Sequence, residues 1–253
     1  MKEHLAKKGH PVLFSLMLGI VLTLLVSVAS AAASIMELDD TGVRFAQACA
    51  FFLMAVIVTV YMSRSSRPRG SYGFKRFEGG KEKRALYYIP LLVIALIQPV
   101  MAGINTNLSW IEVGSILLLT VCVGFTEETI FRGIIREKLR FKGPVFYIVF
   151  SSVFFGILHM ANALNGTDLI HIVLQVINAL LLGCVLALLI ETTDNIIPLI
   201  AFHFIYDALA MVSNENLDQE ILVVSLLNIL YLLYGIYLIA VLLRRNKTQS
   251  LSM

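Results

Sequence analysis

An all-α bundle of about eight membrane-spanning helices, forming one integral membrane domain over residues 1–253, is the fold class this sequence predicts. Three observations carry it: 58% of the 253 residues are hydrophobic, the mean hydropathy is +0.83, and the apolar residues fall into separate runs of membrane-crossing length. Soluble domains hold roughly 45 to 50% apolar residues, and a helix rising 1.5 Å per residue needs about 20 mostly apolar residues to cross the hydrocarbon core.

The first run, about 11–34, follows a basic start and ends in "ASAAAS". It is longer than the roughly 7 to 15 residues of a signal-peptide core, so it reads as a retained span. Further spans are expected at about 43–62, 86–105, 109–140, 144–163, 169–190, 196–213 and 220–243. The fourth is long enough to leave the bilayer as an amphipathic helix, because "REKLRFK" carries charges at helical spacing. The three cysteines, Cys49, Cys122 and Cys184, are odd in number and each sits in an apolar run, which suits packing rather than a disulfide framework or a CxxC clamp. A net charge of +3 with no basic block interleaved with aromatics excludes a nucleic-acid partner. Membrane lipid is the expected surround, and no repeat or soluble domain interrupts the chain.

Lys and Arg set the orientation, since cytoplasmic loops hold the excess of positive charge. With both termini cytoplasmic, every Lys and Arg except Arg44 lies on the inner side, including Lys2, Lys7, Lys8 and the cluster Arg132, Arg136, Lys138, Arg140 and Lys142. The outer loops then carry Glu37, Asp39, Asp40, Asp168, Glu215, Asp218 and Glu220. The basic segment 63–84 reads as a cytoplasmic loop touching anionic headgroups. "ETTDN" at 191–195 falls on the inner side without a Lys or Arg, which a short, partly buried turn would explain.

Charged side chains within spans cost roughly 2.5 to 3.5 kcal/mol each at mid-membrane, so they need a partner or a task. Three clusters stand out. Glu128 and Arg132 are four residues apart on one helical face, with Glu127 turned about 100° away. Phe155 and His159 repeat the spacing in the fifth span, and His203 and Asp207 in the seventh. Glu127 and Glu128 precede the turn at Gly143 and Pro144 by about as many residues as His159 follows it, so two antiparallel helices bring them to similar height. A carboxylate and an imidazole there can activate water, Arg132 can hold the second carboxylate ionised, and His203 and Asp207 can stabilise an oxyanion or orient a carbonyl. His171, Gln175 and Asn178 line one face of the sixth span as interhelical hydrogen bonds, cavity lining or substrate contacts, and Gly124, Gly133, Gly156 and Gly183 suit close helix approach.

"EETIFR", "FGILH" and "HFIYD" resemble, in order, the EExxxR, FxxxH and HxxxN/D motifs of the CAAX-protease and bacteriocin-processing (CPBP, or Abi) family of intramembrane endopeptidases. The resemblance covers a core at about 109–213. It implies an eight-span bundle and cleavage of a peptide bond in a membrane-embedded or lipidated peptide, with Glu127 and His159 as water activators and His203 and Asp207 at oxyanion or ligand positions. The third motif ends in Asp rather than Asn, an allowed variant. The cofactor is none or Zn2+: HExxH is absent, yet Glu127, His159 and His203 from different helices would supply a ligand set. A bacterial cell membrane is the expected location. A non-catalytic immunity or scaffold protein on the same fold, and a proton-coupled transporter, are the other readings of buried acids and histidines; intact motifs favour the enzyme, and no inverted repeat supports the transporter.

Overall fold

The computed structural model describes residues 10–76, 82–161, 169–214 and 217–250. Lys2, Lys7, Lys8, Asp168 and Glu215 lie outside the described residues. The chain forms α1 (Pro11–Ile35), α2 (Asp40–Arg64), α3 (Ile89–Ala102), α4 (Trp110–Glu128), α5 (Arg136–Leu139), α6 (Pro144–Leu158), α7 (Leu169–Thr193), α8 (Ile197–Met211) and α9 (Leu217–Ser250).

Helix starts follow local chemistry. Asp39 accepts from Gly42 N at 2.7 Å to cap α2, Ser109 and Glu112 form a reciprocal capping box on α4, and proline opens α1, α3, α6 and α8, where its missing N–H costs nothing.

Seven helical segments among the described residues are long and apolar enough to cross a membrane. The seventh expected span is shorter than anticipated: α8 has 15 residues, about 22 Å at 1.5 Å per residue. It still runs between the two end layers of the bundle. Its leading residue Ile196 donates to Gly73 O at 2.9 Å, and beyond its far end Asn105 N donates to Val212 O while Asn214 N donates to Gly103 O. α3 lies parallel to it, joined at one end by Tyr88 Oη to Asn195 O (3.4 Å) and at the other by Gln98 Nε2 to Ala210 O (3.4 Å).

The fourth span is not one regular helix. After Glu128 it widens into a π-helical segment, Thr129–Ile135, all of it buried, before α5. Such segments recur at functional sites. Arg132 belongs to this segment and is 0% exposed. It cannot act as an inner-loop charge, because a guanidinium sealed in the bundle meets neither water nor headgroups; that expectation is corrected.

Part of the basic segment also departs from a loop spread on headgroups. Tyr72 is 2% exposed, and its carbonyl sits where a side chain on Gly133 would come within 3.3 Å. The α7–α8 turn lies against this segment. Arg136 donates to Glu191 Oε1 (2.6 Å) and Asp194 Oδ1 (2.7 Å), Lys75 pairs with Asp194, and Arg245 Nη1 donates to Thr192 O at 3.2 Å. The acids of "ETTDN" are thus matched by cations reaching in from other segments. Asp194 takes φ 57, a left-handed conformation that Asp tolerates.

Candidate active site

Residues adjacent in sequence face different surroundings here. Glu128 points into the bundle and is 0% exposed. Its Oε1 lies 3.2 Å from Arg132 Nη1 and accepts from His203 Nδ1 at 2.8 Å. Glu127, one residue earlier and so rotated around the helix, lines a cavity of about 230 Å³ together with Phe131, Phe155 and His159. At roughly 30 Å³ per water molecule that volume holds on the order of seven waters.

Arg132 is fixed from three sides. Besides Glu128, Nη2 donates to Gly183 O at 3.2 Å, and the guanidinium carbon stands 4.7 Å from the Phe155 ring centroid. Gly183 permits this approach: a Cβ there would lie 3.2 Å from Phe155 Cδ1 and 3.5 Å from Arg132 Nη2. Phe155 also meets the His159 ring edge-on at 4.8 Å, so the FxxxH spacing serves both packing of Arg132 and placement of the imidazole.

His159 Nδ1 lies 2.9 Å from Phe155 O. A carbonyl only accepts, so the proton of the neutral ring is on Nδ1 and the lone pair is on Nε2. His203, 4% exposed, sits behind Glu127 rather than in the cavity wall. Its Nε2 is 3.7 Å from Glu127 Oε2 and 3.5 Å from Asp207 Oδ2. Three carboxyls thus surround one guanidinium and one imidazole, and a neutral cluster calls for one further shared proton even with His203 charged.

Close backbone contact makes the Glu128–His203 bond. A Cβ on Gly124 would lie 2.9 Å from Phe204 N and 3.1 Å from Ile200 O, so only glycine lets α4 and α8 approach this far.

The zinc ligand set Glu127, His159 and His203 does not fit an ion as arranged. The Nδ1 bonds of His159 and His203, to Phe155 O and to Glu128, would leave each Nε2 for a metal, so it is the spacing of the side chains that fails. Among the described residues no group of three or more His, Cys, Asp or Glu side chains is placed to hold a metal. No step below runs through one.

The cavity is lined by α1, α2, α4, the π segment and α6, and its lining does not include His171, Gln175 or Asn178. Asn178 Nδ2 donates to Asn228 Oδ1 at 3.0 Å, joining α7 to α9. Sequence reasoning missed the share of α1 and α2 in the wall, namely Thr23, Ser27, Ser30 and Gln47. The signal was present, since Thr23, Ser27 and Ser30 recur at helical spacing in the stretch 21–33, which is otherwise made of Leu, Val and Ala.

Fold and site together define a polytopic membrane protein with a buried acid–imidazole–guanidinium cluster behind a polar-ended cavity. Residues 109–209 match the family model described as Rce1-like, type II CAAX prenyl endopeptidase, which bears out the CAAX-protease resemblance of the three motifs. The matched segment contains Glu127, Glu128, Arg132, Phe155, His159, His203 and Asp207, and it supports an intramembrane endopeptidase of the CAAX type. No curated protein and no solved structure matches the chain.

Proposed function

We propose that this protein is an intramembrane endopeptidase that hydrolyses a peptide bond of a membrane-associated or lipidated peptide, in a bacterial cell membrane with both termini cytoplasmic. The observation that carries the reading is the division between adjacent acids: Glu127 and His159 share one cavity wall, while Glu128 is held behind it by Arg132 and His203.

Glu127 takes a proton from a water molecule in the cavity as the water oxygen bonds to the scissile carbonyl carbon. His159, with Nδ1 committed to Phe155 O, offers Nε2 to orient that water or to carry the proton. The C–O bond forms and the carbonyl electrons move to oxygen; the resemblance implies that His203 and Asp207 stabilise this oxyanion, and since neither lines the cavity, the carbonyl has to reach past Glu127 to meet them. Collapse of this intermediate breaks the C–N bond, and the proton taken from water passes to the leaving amine. Glu128 pairs with Arg132 at 3.2 Å and holds His203 in place by the 2.8 Å bond, so the supporting acid is kept apart from the base.

Mass spectrometry of membrane peptides in cells carrying Glu127→Ala tests this. Accumulation of uncleaved peptides that disappear on expression of the wild type is expected. A folded, inserted Glu127→Ala protein with full biological activity and an unchanged peptide profile refutes catalysis and leaves a scaffold.

A further inference from the structure

The cavity wall opposite the catalytic pair comes from α1 and α2, outside the segment that matches the family. Leu22 and Thr23 stand near the His159 end, since a Cβ on Gly19, one turn before, would touch Phe154 and Leu158. From there the wall follows Val26 and Ser27 to Ser30, about 12 Å along a helix at 1.5 Å per residue. That is the length of three to four residues of extended chain at about 3.3 Å each. Gln47 on α2 closes the far end, its Nε2 donating to Ser30 Oγ at 3.0 Å. Phe51 and Leu119 provide the apolar side.

The chemistry of this wall selects for a backbone. A peptide bond must leave helical pairing to be attacked, and in lipid each freed N–H and C=O then needs a partner. Gln47 keeps one Nε2 hydrogen and its Oε1 after bonding Ser30, which is the donor–acceptor pair that a peptide amide complements. The Ser27 hydroxyl has no hydrogen-bond partner among the described residues. Among the described residues, no ionisable residue other than Glu127 and His159 lines the cavity, so a charged substrate side chain would find no counter-charge among them.

We propose that Gln47, with Ser30, Ser27 and Thr23, forms a backbone-recognition strip that holds an uncharged, extended substrate segment of about three to four residues leading into Glu127. The assignment rests on the peptidase reading above and adds the residues that hold the substrate backbone. The segment approaches from the end of the bundle that carries the α1–α2 turn, because Ser30 and Gln47 lie nearer that turn than Thr23 does.

The test uses the full chain in lipid nanodiscs and an internally quenched peptide with uncharged side chains around a farnesylated cysteine. Gln47→Leu is expected to raise KM about five- to tenfold, the loss of one hydrogen bond, with kcat within about twofold. Replacing one backbone amide of the probe by an ester is expected to weaken wild-type binding by a similar factor and to cost Gln47→Leu nothing more. Ser27→Ala, which removes no bond within the protein, is expected to raise KM about three- to fivefold even where Gln47→Leu fails to fold. Unchanged KM in both variants, or an ester effect equal in wild type and Gln47→Leu, overturns the strip. A diazirine analogue of the probe is cross-linked in parallel: absence of cross-links to α1 and α2 overturns the strip whether or not cleavage occurs. Cross-linking there without cleavage by the wild type overturns the peptidase reading and leaves the strip standing.

Discussion

Replacing Arg132 by methionine keeps an unbranched side chain in a 0% exposed site and removes the guanidinium. The size of the effect depends on what the separated helices retain. Glu128 and Arg132 are on the same helical segment and 3.2 Å apart; at an effective dielectric of about 20 the pair attracts by about 5 kcal/mol before desolvation. That attraction persists when the helix stands alone in lipid and largely cancels from helix association. The interhelical bonds do not cancel. The charged hydrogen bond to Gly183 O is worth about 1.5 to 3 kcal/mol in water-soluble proteins, and less where lipid-embedded reference states find other partners. Stacking of the guanidinium on Phe155 adds about 1 to 2 kcal/mol when desolvated. Arg132→Met should therefore weaken bundle association by about 2 to 4 kcal/mol, read as a lower SDS midpoint for the purified protein in mixed micelles. Arg132→Lys restores a charge near Glu128 but neither the planar fork nor the stack, so it should recover less than half of the loss. A midpoint for Arg132→Met within about 0.5 kcal/mol of wild type, the scale of an ordinary surface change, would refute this placement of Arg132. Full rescue by lysine would mean that charge alone matters there.

Glu127→Gln should reduce peptide cleavage by at least about 100-fold, the lower scale of a general-base contribution, and leave the SDS midpoint near wild type; a large fall in the midpoint would show Glu127 to be structural. Gly124→Ala puts a methyl 2.9 Å from Phe204 N, against backbone that has no rotamer to yield. It should lower both the SDS midpoint and cleavage, whereas Gly114→Ala, with nothing within 4 Å among the described residues, should change neither. Asp207→Asn should keep more activity than Asp207→Leu in a cleavage assay, because the amide still offers a polar group 3.5 Å from the His203 ring; equal loss in both would tie the position to its charge. Burial pulls the Asp194 carboxyl upward, but hydrogen bonds and charges from Lys75 and Arg136 outweigh it and hold the net pKa below the ordinary carboxylate value. Its stabilising share is therefore present above about pH 4 and lost as pH falls through the lowered value. Limited proteolysis at the segment before α3 should rise below about pH 4 in wild type and lose that dependence in Asp194→Asn.

What the sequence discloses about this site is set by the range of the interactions involved. The pairing of Glu128 with Arg132 and the rotation of Glu127 away from it follow from helical spacing alone, and both hold. The shared cavity of Glu127 and His159 follows from equal distances to the turn at Gly143, a constraint that spans one hairpin. Properties that depend on segments far apart in the chain were not legible. Arg132 reads both as the partner of Glu128 and as an inner-side charge, and only Gly183, about 50 residues on, supplies the carbonyl that goes with its complete burial. "ETTDN" lacks a local cation, and the ones that satisfy it, Lys75 and Arg136, come from two other segments. The π segment is of the same kind. No residue in "TIFRGII" demands it, but its widened turn lets Arg132 reach Gly183 O while Gly133 meets the carbonyl of Tyr72. The two glutamates quoted side by side need each other for this reason: Glu128, held in the interior, is what fixes His203, and His203 in turn stands 3.7 Å behind the carboxylate that faces the cavity. A single acid at this depth would have either a partner or access to substrate, and the site requires both.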